Sequence, residues 1–302
     1  MKKISIFSFA ILAIVAVAFF SSYKEAESKP AKEEKENQTF QTVKPFKTPS
    51  YMEFAGESMP LSNFDVKERL DRELIINAYW HSIAIANMKR SGKYFPIIEP
   101  ILAKYGIPDD FKYLAIAESG LKNATSSAGA KGIWQFMKPT AKYYKMVIDA
   151  EVDERYNVEK ATENACKYLK TAYKRFNSWT LAAASYNMGE PRLQRLLKDQ
   201  GVSSYYDVHL SEETLRYVFR IIAIKEIYSN PEKYGFYLDH SDKYGQMQFT
   251  TKTVNYPITN LASFAKENNT TYRKLKIYNP WLMKPYLKNP SKRTYTIKIP
   301  LN

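Results

Sequence analysis

A chain of 302 residues holds one large domain or two ordinary ones, and a hydrophobic content of 45% is enough to bury a sizeable core. The formal charge of +14 calls for an acidic partner: nucleic acid, an anionic membrane, or an acidic polymer such as a cell wall. The Lys and Arg residues are spread along the chain and no nucleic-acid module stands out, so nucleic acid is set aside. The lone Cys166 excludes an internal disulfide and reads as a buried small residue, while three His without ligand spacing leave no metal and no cofactor to expect.

Lys2 and Lys3 precede an apolar run from Ile4 to Phe20, with Ala16-Val17-Ala18 as a small-residue cleavage site. Residues 1–20 therefore read as a signal peptide or, uncleaved, as an N-terminal anchor that would tie the chain to a membrane. The expected location is outside the inner membrane, in the periplasm or cell envelope. Residues 21–60 read as a disordered charged and Pro-rich linker, because Tyr23 to Asn37 is nearly free of apolar residues and Pro30, Pro45, Pro49 and Pro60 are spaced along the segment.

From about 64 to 235 the periodicity is helical. Asp65 caps a helix through Leu70, Leu74 and Ala78; Pro96 breaks the next stretch; a short helix then ends at Gly106. Pro108-Asp109-Asp110 opens a further helix with an Asp at its N-cap, and helices follow over roughly 157–176, 179–186, 191–199 and 211–228. Strand alternation is expected only after about 247, where 246–254 and 295–299 bracket two helical patterns at 259–268 and 271–278. The expected domains are 61–240, mostly helical, and 241–302, a small βααβ module.

The chemistry centres on Tyr113-Leu114-Ala115-Ile116-Ala117-Glu118-Ser119-Gly120. On a helix Phe111, Leu114, Ala115 and Glu118 share one face, otherwise apolar. A carboxyl there sits near the negative helix end and partly out of water, and both effects raise its pKa. Such a group donates a proton near neutral pH. The competing reading is an ordinary Glu turned to solvent. The stretch Asn123 to Thr140 supplies no acid but a small-residue loop with Gly129 and Gly132, then Trp134, Gln135, Phe136 and Met137. Trp134 reads as core. Glu190 reads as the start of a helix beside Pro191 rather than as a second catalytic carboxylate.

Three runs occur in order: Glu118-Ser-Gly-Leu; Ser126 through Ala141 with its Gly-Ile-Trp-Gln; and Ala184-Ser-Tyr-Asn-Met-Gly189. They resemble the motifs of soluble-type lytic transglycosylases of the goose-lysozyme-like superfamily, nearest to the membrane-bound lytic murein transglycosylase D group. Glu213 to Val218 resembles that group's fourth motif. The resemblance implies a lysozyme-like helical catalytic domain that cleaves peptidoglycan glycan strands, with Glu118 as the single acid/base. It implies that Ser126, Gln135, Tyr186, Asn187 and Tyr217 orient that glutamate or hold N-acetyl sugars, and that Gly129 and Gly132 form the cleft loop. The implied product is a 1,6-anhydromuramic end, formed by attack of the sugar's own C6 hydroxyl. The tail resembles a degenerate LysM module whose usual Gly-Asp-Thr opening is replaced by Tyr256-Pro-Ile-Thr259. The alternatives are a hydrolytic muramidase on the same scaffold and a non-catalytic peptidoglycan-binding protein. A monomer is expected.

Overall fold

The computed structural model describes residues 45–301, and the chain from Phe46 onward forms one compact unit. The expected leader and most of the expected linker lie outside the described residues. Among the described residues, no helix is long and apolar enough to cross a membrane.

The folded body starts upstream of the boundary expected at 61. Phe46 packs against the rings of Tyr79 and Tyr234 at 5.3 and 5.0 Å. Two short strands follow, β1 (Glu53–Phe54) and β2 (Glu57–Ser58), paired antiparallel. Ala55 and Gly56 between them both take positive φ, the geometry of a two-residue primed turn. The turn directs Phe54 into the core, where it is fully buried and meets Phe111 edge-on at 5.2 Å. Strand periodicity cannot register in elements of two residues, so the hairpin escapes a sequence reading, and 46–60 is part of the body rather than linker.

Six helices build most of that body. α1 (Phe64–Tyr79) buries Leu70, Leu74 and Ala78, one turn apart, against the last of the six, α8 (Glu212–Ser229), which presents Val218, Phe219, Ile221 and Ile222. α2 (His81–Tyr105) lies on α5 (Val158–Phe176), and α5 on α6 (Trp179–Met188). Ala161, Ala165 and Ala172 of α5 and Ala182 to Ala184 of α6 are fully buried, and small residues let helix axes come close. Two further helices, α4 (Lys138–Tyr143) and α7 (Glu190–Gln200), join this group.

Two expectations fail locally. α2 does not break at Pro96 but continues through Pro96 and Pro100 to Tyr105. Prolines four residues apart forfeit their hydrogen bonds on a single face, and the residue four before Pro96 is Gly92; Ile98 and Leu102, fully buried, hold the helix together from the other side. The helix α3 (Lys112–Ser119) has no aspartate cap: a single 3-10 turn, Asp109–Phe111, precedes it. Asp110 instead accepts from the Ala55 amide at 2.7 Å and from Lys225 Nζ at 2.6 Å, fastening the hairpin to α8.

The C-terminal part is β-α-α-β, as its alternation predicts. β3 (Phe249–Val254) pairs antiparallel with β4 (Tyr295–Pro300), with α9 (Leu261–Glu267) and α10 (Tyr272–Tyr278) between them. Asn260 and Thr271 cap the two helices with their side chains. Val254, Leu261, Phe264, Leu275, Trp281 and Ile297 form a separate small core, and Val152 from the helical part belongs to it.

Candidate active site

Glu118 is the penultimate residue of α3. Tyr113, Leu114, Ala115 and Ile116 bury the helix, and Gly120 ends it in the left-handed conformation, its amide returning to Ile116 O at 2.7 Å. Two residues of α2 grip that end: Arg90 Nε donates to Gly120 O at 2.7 Å, and a Cβ on Gly120 would lie 2.6 Å from Asn87 Oδ1. The glutamate therefore projects from a short helix fixed at its C-terminus.

Tyr217, buried on α8, donates its hydroxyl to Glu118 Oε1. The Glu118 side chain is half-buried as a whole, yet protein surrounds its carboxyl closely. Burial pushes the carboxyl up to about 7; the Tyr217 hydrogen bond and the Arg220 charge oppose the shift, and the Glu213 charge adds to it. Arg220 lies one turn beyond Tyr217 on α8. It bonds Glu213 at 3.2 Å, and its Nε is 3.9 Å from the buried carboxylate of Glu73, which Arg216 also binds at 2.5 Å. Sequence reading missed Arg220 and Glu73. The three-residue spacing from Tyr217 was the available signal for Arg220; nothing in the sequence marks Glu73.

Tyr186 stands on α6, where its hydroxyl donates to Trp134 O at 2.8 Å. Burial, then the nearby Glu118 charge, holds its phenol well above the ordinary tyrosine value. Asn187, the next residue, is exposed. The loop 124–136 lies between α3 and α6. Ser119, beside the glutamate, donates to Ile133 O at 2.8 Å. Ser126 caps the loop internally, its Oγ accepting from the Ala130 amide at 3.0 Å. Gln135 turns inward with positive φ, and its Nε2 reaches Gly132 O at 2.7 Å and Ala124 O at 3.2 Å. Gly129 and Gly132 both carry positive φ; only Gly132 is also crowded, since a Cβ there would fall 1.9 Å from Arg155 O. Glu118, Tyr217 and Tyr186 thus converge. Ser126 and Gln135 spend these hydrogen bonds on the loop itself.

Other readings resolve plainly. Trp134 is fully buried and its indole N–H donates to Thr162 Oγ1 at 2.8 Å. Cys166 is buried, and burial pushes its thiol up to about 12. Glu190 opens α7 and pairs with Arg175 Nε at 2.7 Å. It borders an open groove of about 500 Å³ walled by Tyr143, Tyr144 and Tyr168, and the Tyr168 ring stands 5.1 Å from Tyr186.

Residues 96–208, which hold this cluster except Tyr217, match the family model described as "Transglycosylase SLT domain". Residues 250–302 match the "Soluble lytic transglycosylase C-terminal LysM-like domain". Over 199 aligned residues the chain is 29% identical to membrane-bound lytic murein transglycosylase D of Escherichia coli strain K12, covering 63% of this chain and 43% of that protein. The chain thus accounts for less than half the length of this curated relative. Among solved structures, the 70 kDa soluble lytic transglycosylase of E. coli overlaps with TM-score 0.39 at 22% identity, over 46% of this chain and 24% of that one. An inactive mutant of lytic transglycosylase Slt from Pseudomonas aeruginosa overlaps with TM-score 0.37 at 21% identity, over 51% and 26%.

Proposed function

We propose that this chain is a peptidoglycan lytic transglycosylase, with Glu118 acting first as general acid and then as general base. The observation that carries the reading is the Glu118 carboxyl, within the stretch that matches the SLT family model, raised to about 7 by burial and held by the Tyr217 hydroxyl. With one oxygen fixed by Tyr217, the other is left for the substrate. A carboxyl of this pKa is substantially protonated at neutral pH and accepts a proton back as readily.

The proposed reaction cleaves the β-1,4 bond between N-acetylmuramic acid and N-acetylglucosamine. Glu118 donates its proton to the glycosidic oxygen as the C1–O bond breaks. The C6 hydroxyl of the same muramic residue then attacks C1 and returns its proton to Glu118. The products are a 1,6-anhydromuramic end and a free C4 hydroxyl, with no water consumed. A single carboxylate suffices because the sugar supplies the nucleophile, whereas most glycosidases need two. Glu190 is engaged by Arg175 and Glu213 by Arg220, which favours this route over the hydrolytic one. Tyr186 and Asn187 at the end of α6, with the tyrosine-walled groove beyond, are proposed to hold the sugars, with Ser126, Gln135, Gly129 and Gly132 shaping the loop. The name of the E. coli relative and the apolar run Ile4 to Phe20 behind Lys2 and Lys3 support an exported protein of the cell envelope, tied to a membrane if that run is kept. The C-terminal module is proposed to lie against the same glycan.

The test is digestion of purified peptidoglycan by the full chain and by Glu118→Gln, with products identified by mass spectrometry. Anhydromuramic ends from the wild type, falling about 1,000-fold with the variant, are expected. Reducing ends would mean a hydrolase; binding without any product would leave only an adhesive role.

A further inference from the structure

We propose that Arg155 is a positioning residue through which the C-terminal LysM-like module holds the cleft loop, and so Glu118, in reactive geometry; this rests on the transglycosylase reading above. Arg155 sits in a single 3-10 turn, Glu154–Tyr156, and both it and Asp153 are 3% exposed. Its guanidinium forms a fork on Asp153, Nε to Oδ1 at 2.9 Å and Nη2 to Oδ2 at 2.8 Å. The remaining nitrogen, Nη1, crosses to the loop and donates to Phe136 O at 3.2 Å and Gly129 O at 3.3 Å. These carbonyls belong to the two ends of the turn that contains Gly132 and Gln135. The backbone of Arg155 forms the seat: Gly132 rests on Arg155 O with no room for a Cβ. Next along, Tyr156 bonds Thr125 hydroxyl to hydroxyl at 2.8 Å.

From the loop the connection reaches the glutamate in one step. Ile133 O receives the Ser119 hydroxyl and Trp134 O receives the Tyr186 hydroxyl, each at 2.8 Å. A loop that slips off Arg155 therefore shifts Ser119, beside Glu118, and Tyr186, whose phenol feels the Glu118 charge.

On its other side the same segment is built into the module. The Asp153 amide donates to Trp281 O at 2.9 Å, and the Met283 amide to Glu151 O at 2.7 Å. The Lys288 amide donates to Glu151 Oε2 at 2.7 Å, and Val152 lies within the module's core. Residues 152 and 153 are extended neighbours whose side chains part in opposite directions. Val152 enters the module and Asp153 grips Arg155. The module thus lends a strand-like edge, Leu282 bridging Val152, to the segment that leads into the turn on which the cleft loop sits.

Arg155→Lys keeps the charge and loses the fork. Misplacement of a general acid by a fraction of an ångström affects the transition state far more than binding. Using the full chain on purified peptidoglycan, we expect kcat to fall about 10-fold or more in Arg155→Lys with KM within about 2-fold. Glu151→Ala, which removes only the Lys288 bond at a surface site, should lower kcat about 2-fold and leave KM unchanged. Hydrogen–deuterium exchange over residues 124–136 should accelerate in both variants, with α2 and α8 as protected as in the wild type. This readout does not need activity, so it tests the positioning role even if the wild type proves inactive and the transglycosylase reading fails. Unchanged exchange in the loop would overturn the proposal. So would an Arg155→Lys enzyme with wild-type kcat, or one whose loss lies wholly in KM.

Discussion

The cleft loop and the C-terminal module are ordered in opposite ways. The module satisfies its backbone through regular pairing: six residues of β3 against six of β4, and two short helices with side-chain caps. The loop 124–136 contains no helix or strand; beyond its own backbone turns, its carbonyls are claimed by single side chains, Arg155, Ser119 and Tyr186 from outside it and Gln135 from within. Regular structure distributes stability over many equivalent bonds. The irregular loop concentrates it in a few, so single changes there should act on geometry before they act on stability.

Gly132→Ala is the severest way to break that contrast. The added Cβ would meet Arg155 O at 1.9 Å on a backbone of φ +81°, so the loop must leave its seat. We expect peptidoglycan cleavage to fall about 100-fold, read by product release, with a loss of about 3 kcal/mol in denaturant unfolding. Asn279→Ala is the corresponding change in the module. Its buried amide donates to Lys298 O at 2.7 Å and accepts from Lys298 N at 2.8 Å. Truncation should cost about 2 kcal/mol by thermal or denaturant melting, with cleavage at low temperature reduced far less than by Gly132→Ala.

Glu118→Gln sharpens the comparison by separating stability from chemistry. The folded-state carboxyl is raised to about 7 from an ordinary 4.5. Between these values the folded protein keeps a proton that the unfolded chain releases, so this group's contribution is full below 4.5 and is lost as pH rises through 7. Glutamine mimics the protonated form. The variant should therefore match the wild type near pH 4 and exceed it at pH 8 by on the order of 2 kcal/mol, measured by denaturant melts across pH. Equal stability at both pH values would mean that the carboxyl is not raised. The smallest effect is expected for Gly129→Ala. Gly129 shares the positive φ of Gly132 but has open space where its Cβ would lie, so only backbone strain remains, about 1 kcal/mol by melting, with cleavage within about 3-fold of wild type.

The parts of this molecule that were legible in sequence are those built on local rules. The helices over 158–176 and 212–229 and the βααβ tail follow from periodicity and caps, and Trp134 and Cys166 are buried as their surroundings suggest. The convergence of Glu118 with Tyr186 and Tyr217 was reachable only through motif resemblance, since 99 residues separate Glu118 from Tyr217. The rest was hidden for identifiable reasons. Pro96 obeys its local rule in isolation, but burial of Ile98 and Leu102 overrides it. Arg155 and Asp153 look like surface charges in a polar run, and only tertiary contact reveals them as buried. The β1–β2 turn uses Ala55-Gly56 in place of the more recognisable Asn-Gly.

The hairpin also settles a question of timing. Glu57 lies at the end of its turn, and its carboxylate accepts from Ser178 Oγ and Thr180 N, each at 2.9 Å, so the first turn of α6 is capped by a residue more than a hundred positions upstream. During synthesis the hairpin emerges long before its mate. Until α6 is made, the hairpin carries an unmatched carboxylate and Phe54 has no complete socket. Closing so long a segment costs only logarithmically more than closing a short one, so the delay is one of search rather than of strain. The buckle that joins the hairpin to the start of α6 fastens late, and a chain arrested before residue 180 should remain open at the hairpin.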